Sequence, residues 1–285
     1  MIVIAAASSQ LGRIVLEKLI ERGVSAATIR AVARTPDKLA DFAARGVEVV
    51  AGDYTKPDTL AVGFAGADRL LLISSVAPTE GRILQHSNAV TAAVDARVGQ
   101  IVFTSIAQAP TSTLEVAVSY RDTEQAIRAS GLPYVFLRNN WYFENATATL
   151  GDALERGTLV GAAGEGRIAY ATRADFAKAA AIVLTADGHT GRAYELTGDH
   201  AYTQAELAAE VSRQTGMELG YVSLPEAEFR AILDGLGLPP FLAAAIADGD
   251  ARIAEGAMAA TTDDLSTLLG RPTTSLADAV AQALK

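Results

Sequence analysis

The sequence predicts an α/β fold: a doubly wound parallel sheet with helices on both faces, followed by a smaller C-terminal α+β lobe. Three observations carry this. Short apolar runs alternate with helical patterns through the first half of the chain, which is the signature of strand–helix–strand crossovers. Residues 1–12 read as strand, tight turn of small residues and helix start. Beyond Trp141 the alternation weakens into helices with isolated strand-like runs. A main domain is therefore expected over residues 1–140. Residues 141–285 should form mainly a substrate-binding lobe, with some segments free to return to the main sheet. At 285 residues the chain is long enough for both.

In chain order, the strand candidates of the first half are residues 2–6, 28–33, 47–52, 69–73, 100–104 and 134–137. They are apolar throughout, as parallel strands covered on both faces must be. Helical spacing of apolar positions fills the gaps at 10–22, 36–44, 57–64, 81–97 and 120–130. In the second half, 159–160, 193–196 and 219–222 are short strand candidates among helices at 173–184, 204–215, 226–236 and 242–254. Thr203 with Glu206 matches a capping box, and Thr274 before an apolar run is expected to begin the last helix.

The first turn is the most informative segment. Ala6, Ser9 and Gly12 recur three apart, where a phosphate-binding turn carries glycines for a sharp bend, close approach to a pyrophosphate and tight helix–strand packing. Only Gly12 is glycine. Ala6 is tolerable with a negative φ, whereas a left-handed conformation there would cost about 1–2 kcal/mol. Ser9 places a β-carbon and a hydroxyl where backbone would approach the phosphates, although that hydroxyl could also donate to one. This reads as a Rossmann-type dinucleotide turn, with the ligand crevice beyond the carboxyl ends of the strands.

The strand ends supply the other candidates. Arg34, with Lys38 one turn away, follows the second strand, where a basic residue accommodates the 2′-phosphate of NADP and an acidic one binds the ribose of NAD. The alternative is a solvated helix start. Asp53 ends the third strand and could accept from an adenine amino group or cap the next helix. Ser74 and Ser75 end the fourth, leaving room for a nicotinamide ribose. Thr104 and Ser105 end the fifth, and Tyr120 follows fifteen residues after Ser105. That order matches the acid pair of short-chain dehydrogenases, in which a lysine stands four residues after the tyrosine. Here that position is Glu124, and a nearby carboxylate disfavours a phenolate. Tyr120 can therefore act as a neutral donor better than as a base. After the sixth strand, Asn139, Asn140, Trp141, Tyr142 and Phe143 form a dense amide and aromatic cluster. Its rings could stack on a flat substrate while an amide positions a carbonyl, or they could join the two lobes.

Composition excludes several classes. A net charge of −9 leaves no general basic face for nucleic acid. The absence of cysteine rules out disulfides and thiolate chemistry and suits a reducing cytoplasm. The apolar start lacks the basic leader of a signal peptide, and no run approaches the roughly 18 apolar residues of a membrane span, so a cytoplasmic protein without membrane association is expected. His86, His189 and His200 lie far apart without ligand spacing, so no metal site is expected. No Gly-x-Ser-x-Gly elbow supports a hydrolase.

Several stretches together resemble the NmrA-like, atypical short-chain dehydrogenase/reductase family, within it the group of flavin-free NAD(P)H:quinone oxidoreductases and triphenylmethane reductase. They are Gln-Leu-Gly-Arg at 10–13, Ala-Arg-Thr-Pro-x-Lys at 33–38, Gly-Asp-Tyr at 52–54, Leu-Leu-Leu-Ile-Ser at 70–74, Phe-Thr-Ser at 103–105, Leu-Arg-Asn-Asn-Trp-Tyr at 137–142, Gly-Ala-Ala-Gly-Glu-Gly-Arg at 161–167, Ala-Tyr-Glu-Leu-Thr-Gly-Asp at 193–199 and Leu-Leu-Gly-Arg-Pro-Thr-Thr at 268–274. The resemblance implies a Rossmann domain that binds NADPH, without flavin or metal. Ala6, Ser8, Ser9, Gln10, Leu11, Gly12, Arg34 and Lys38 would hold the cofactor, and a small lobe would close a substrate cleft. It further implies hydride transfer to a quinone or similar flat conjugated electrophile, by a monomer or homodimer. Two alternatives stay open: a non-catalytic redox-sensing regulator, and a redox-silent enzyme that has lost its dinucleotide. Two positions depart from the group, since Ser9 stands where glycine is usual and Tyr120 where histidine is frequent.

Overall fold

The computed structural model of the protein describes residues 1–285. The strands are β1 (Ile2–Ala5), β2 (Ile29–Ala33), β3 (Glu48–Ala51), β4 (Arg69–Leu72), β5 (Ile101–Ile106), β6 (Tyr134–Asn139), β7 (Thr158–Gly161), β8 (Ala193–Leu196) and β9 (Gly220–Ser223). The helices are α1 (Gln10–Glu21), α2 (Ala40–Ala43), α3 (Pro57–Phe64), α4 (Thr79–Asp95), α5 (Ala117–Ala129), α6 (Phe143–Thr147), α7 (Leu150–Arg156), α8 (Arg173–Thr185), α9 (Gln204–Thr215), α10 (Glu226–Gly235), α11 (Pro240–Ala254), α12 (Asp264–Leu269) and α13 (Leu276–Ala283). No helix is long and apolar enough to cross a membrane.

Seven strands form one sheet in the order β3-β2-β1-β4-β5-β6-β8. Pairing is parallel from β3 through β6. Ile2 is registered with Ile29 on one side and Arg69 on the other, so the strand order reverses between β1 and β4. In sheets of this kind the ligand crevice lies at such a switch point, beyond the carboxyl ends of the two strands. β5 is buried along its whole length, as a central parallel strand must be. Val3, Leu70, Leu72, Phe103 and Phe136 form a core with Leu60 and Phe64 of α3.

The chain divides into two compact units. The first comprises residues 1–109, 118–139 and 176–195; the second comprises 110–117, 140–175 and 196–285. Most of α8 and of β8, though beyond residue 140, thus belong to the first unit. The reason lies at the sheet edge: Phe136 N–H donates to Arg192 O, and Gly191 N–H donates to Tyr134 O, covering backbone groups of β6 that would otherwise be unpaired. In the second unit, β7 and β9 form a small parallel sheet. Phe229 and Leu233 of α10 pack with Ala243 and Ala247 of α11. The capping box on α9 is complete, with Thr203 Oγ1 accepting from Glu206 N–H and Glu206 accepting from Thr203 N–H.

Several boundaries differ from expectation. Residues 36–44 form a 3₁₀ turn over Pro36–Leu39 before the short α2. Helix α13 is capped by Ser275, whose hydroxyl accepts from Asp278 N–H, while Thr274 N–H is held by Asp175 instead. Helices α6, α7 and α12 have seven residues or fewer, too short for a clear periodic signal.

Candidate active site

The turn after β1 shows how the missing glycines are accommodated. Ala6 has φ +54°, so the negative φ considered for it is not adopted, and this residue carries a strain of about 1–2 kcal/mol. Ser9 is the N-cap of α1. Its N–H donates to Ala6 O at 3.0 Å, and its Oγ accepts from Gly12 N–H at 3.1 Å. The hydroxyl therefore stabilises the helix start and keeps its own proton for an outside acceptor. Gly12 is required sterically, since a Cβ there would lie 2.7 Å from Ala7 O and 2.8 Å from both Ala6 O and Ala7 Cα. Leu11 is 5% exposed and packs into the core. Ser8 is half-buried and Gln10 exposed.

Beyond β2, Arg34 and Lys38 are exposed, and their side chains form no ion pair. Arg13 contributes nothing free here: it pairs with Asp41, donates to Lys38 O and lies 4.9 Å over the Phe42 ring. Asp53 does not cap α3. Its Oδ1 accepts from Thr55 N–H and Oγ1 at 2.9 and 2.8 Å. Partial burial pushes its carboxyl up, but Thr55 together with the charges of Arg34 and Lys56 leaves it below the usual range. Tyr54 ties this loop to β4, donating from its hydroxyl to Ile73 O.

The segment after β4 is held from several sides. Ser74 N–H donates to Thr104 Oγ1 at 3.0 Å, and Ser74 Oγ lies 3.2 Å from Tyr120 Oη. Ser75 N–H donates to His86 Nε2 at 2.9 Å, and Ser75 O accepts from Arg82 Nε at 2.9 Å. Because His86 Nε2 accepts, its proton sits on Nδ1, which donates to Thr123 Oγ1 at 2.8 Å; Thr123 in turn donates to Ser119 O. Burial, and next the charge of Arg82, push His86 down to about 3, so the ring is neutral. Sequence reasoning weighed His86 only as a metal ligand and passed over Arg82, for which spacing on α4 offered no signal beyond ordinary helix positions.

The Ser–Tyr acid pair does not form. Ser105 is buried, and its Oγ donates to Glu124 Oε1 at 2.7 Å. Arg138 binds Glu124 through Nε and Nη2 at 2.9 and 2.7 Å and Glu195 through Nη1 at 2.8 Å. Hydrogen bonding to Glu124 raises the Arg138 guanidinium further above its usual range despite burial. Glu195 also accepts from the N–H of Gln108, which is held at φ +54°. Glu124, expected to oppose a phenolate at Tyr120, is thus engaged by Arg138, and Ser105 serves the framework of β5, β6 and β8.

Asn139 ends β6 with 6% exposure, its carbonyl accepting from Ala107 N–H. In the second unit, Asn140 is committed to the backbone: Oδ1 accepts from Trp141 N–H and Nδ2 donates to Met258 O. It is accordingly a poor oxyanion donor. Trp141 is half-buried with its ring against Gly249. Tyr142 is half-buried beneath Arg173, whose Cζ lies 4.7 Å from the ring centroid. Phe143 is corrected from substrate contact to core, being 1% exposed and stacked 5.0 Å from Tyr170. No cluster of metal-ligating side chains occurs.

Comparison with known proteins accords with this geometry. The chain matches the NAD(P)H-binding family over residues 6–187. It is 44% identical over 281 residues to quinone oxidoreductase 2 of Escherichia coli K12, covering 99% of this chain and 98% of that one. The crystal structure of the E. coli NADPH-dependent quinone oxidoreductase complexed with NADPH superposes with a TM-score of 0.95 at 43% identity over 100% of both chains. Citrobacter sp. triphenylmethane reductase complexed with NADP(H) gives 0.94 at 36% identity over 99% and 100%. With the turn, the sheet order and the length of these matches taken together, the chain belongs to the NAD(P)H-binding, NmrA-like branch of the atypical short-chain dehydrogenases/reductases.

Proposed function

We propose that this protein is an NADPH-dependent reductase that passes a hydride to a quinone or similarly flat conjugated electrophile. The observation that carries the reading is the start of α1 at the sheet's switch point, where Gly12 leaves no space for a Cβ and the unpaired Arg34 stands at the next strand end. These residues fit a dinucleotide: helix amides and the Ser9 hydroxyl for a pyrophosphate, Arg34 and Lys38 for a 2′-phosphate. The relatives that carry quinone and dye reductase names support the substrate class.

When bound, NADPH supplies the hydride, and the protein contributes orientation and charge stabilisation. Ser74 and Ser75, fixed by Thr104, His86 and Arg82, shape the floor after β4. Tyr120 donates a hydrogen bond to the substrate oxygen that gains negative charge, with Asn139 as a second candidate. Hydride addition to a quinone yields a hydroquinone monoanion, which takes its proton from water. So weakly basic a product needs no dedicated strong acid, and the absence of a lysine after Tyr120 is compatible with turnover. Within the second unit, Trp141 is the ring we keep as the candidate for stacking on a flat ligand, and the Tyr142 ring is already covered by Arg173.

Titration of NADPH and NADH fluorescence with the wild-type protein and Arg34→Ala, alongside quinone-dependent NADPH oxidation, tests this. Loss of a charge-assisted contact should weaken NADPH roughly 10- to 100-fold and leave NADH nearly unchanged. Equal losses for both cofactors would remove Arg34 from the site. Cofactor binding without turnover on any quinone would favour a redox-sensing role.

A further inference from the structure

Arg82 lies in the first turn of α4 and is 8% exposed. Its Nε donates to Ser75 O, its Nη1 reaches Ser119 Oγ at 3.4 Å, and its Cζ stands 5.5 Å from the centroid of the Tyr120 ring. No carboxylate pairs with it. Several other shielded arginines do have one, as Arg138 has Glu124 and Glu195, Arg69 has Asp187 and Arg173 has Glu144. His86, one turn further along α4, cannot serve as counter-ion, since its Nε2 accepts from Ser75 N–H and its ring is neutral. Withdrawing a guanidinium from water without a counter-ion is unfavourable, and two hydrogen bonds with one aromatic face recover only part of that. A charge kept in this state beside a site is a candidate for work on charge that develops during a reaction.

The group positioned to transmit it is Tyr120, whose hydroxyl lies 3.2 Å from Ser74 Oγ at the end of β4. Glu124, on the same helix as Tyr120, is occupied by Arg138 and Ser105, which leaves Arg82 as the charged side chain on the ring. We propose that Arg82 is a positioning residue that acts through Tyr120: its charge over the ring strengthens the phenolic O–H as a donor to the substrate oxygen, replacing from α4 the lysine that short-chain dehydrogenases carry on the tyrosine's own helix. The inference rests on the reductase reading above.

The test is a double-mutant cycle on the wild-type protein, Arg82→Gln, Tyr120→Phe and the double variant. It measures the single-turnover rate of NADPH oxidation by 1,4-benzoquinone together with NADPH affinity. Arg82→Gln keeps a donor for Ser75 O and removes the charge. It should slow the reaction about 10- to 30-fold, the range of a largely desolvated cation–π contact, with NADPH affinity changed less than about twofold. Tyr120→Phe should slow it similarly, and the double variant should be no slower than the slower single variant. Arg82→Lys, which retains charge and guards against misfolding of the glutamine variant, should fall between, and added guanidinium should restore Arg82→Gln. Additive losses, an unchanged rate, or a fall in NADPH affinity matching the fall in rate would overturn the inference and leave Arg82 as a support for Ser75. A wild-type protein that binds NADPH but passes hydride to none of the quinones tested would overturn the reductase reading and this inference with it.

Discussion

Replacing Gly12 by alanine tests whether the turn after β1 binds the cofactor in the way the geometry implies. A Cβ built on Gly12 falls 2.7 Å from Ala7 O and 2.8 Å from Ala6 O and Ala7 Cα, whereas ordinary contact begins near 3.4 Å. All three obstacles are backbone, so no side-chain rotation relieves them, and α1 must move off the turn by about 0.7 Å. Overpacking of this kind costs about 1–3 kcal/mol, which in a protein of this size lowers Tm by roughly 2–5 °C. The same movement displaces the Ser9 cap and the helix amides that would face a pyrophosphate. Losing one such charge-assisted bond weakens NADPH at least about tenfold. Thermal melts and NADPH fluorescence titration of Gly12→Ala would be read beside Gly151→Ala in α7, where an added Cβ meets nothing within 4 Å and helix propensity favours alanine. Gly12→Ala with wild-type Tm and wild-type NADPH affinity would refute both the packing argument and the placement of the pyrophosphate.

Ala6→Gly should relieve the left-handed strain of about 1–2 kcal/mol while adding about 0.4–1 kcal/mol of unfolded-state entropy. The net gain is about 0–1.6 kcal/mol, a Tm rise of up to roughly 3 °C; a lower Tm would show that the Ala6 methyl stabilises more than its φ costs. His86 predicts an acid-side loss of stability. Its folded value is depressed to about 3 while an unfolded histidine titrates near 6.5, so its contribution is complete above pH 6.5 and is lost as pH falls toward 3. By pH 4.5 the loss is on the order of 2–3 kcal/mol. Urea midpoints at pH 7 and 4.5 should show that loss in the wild-type protein and not in His86→Gln, whose Oε1 can still accept from Ser75 N–H. Equal losses in both would mean that the ring is not held neutral.

What could be known from the sequence by itself is what depends on neighbours along the chain. Periodicity placed α3 and α9 at their observed limits and most strands within one or two residues, because burial of one helical face or of a whole strand leaves its mark on consecutive residues. The Thr203–Glu206 box, the small-residue turn of 6–12 and the basic residues after β2 are equally local. The tertiary structure decided what depends on residues far apart. It put β8 beside β6 because an open sheet edge had to be covered. Glu124 was directed to Arg138 rather than to Tyr120, and Ser105 to Glu124, since neighbouring elements brought those charges within hydrogen-bond reach. Arg82 was laid over the ring that the sequence had left without a cation. Ala6 was resolved in the same way: composition permitted either sign of φ, and the hydrogen bonds from Ala7 to β2 and from Ser9 to Ala6 selected the strained one.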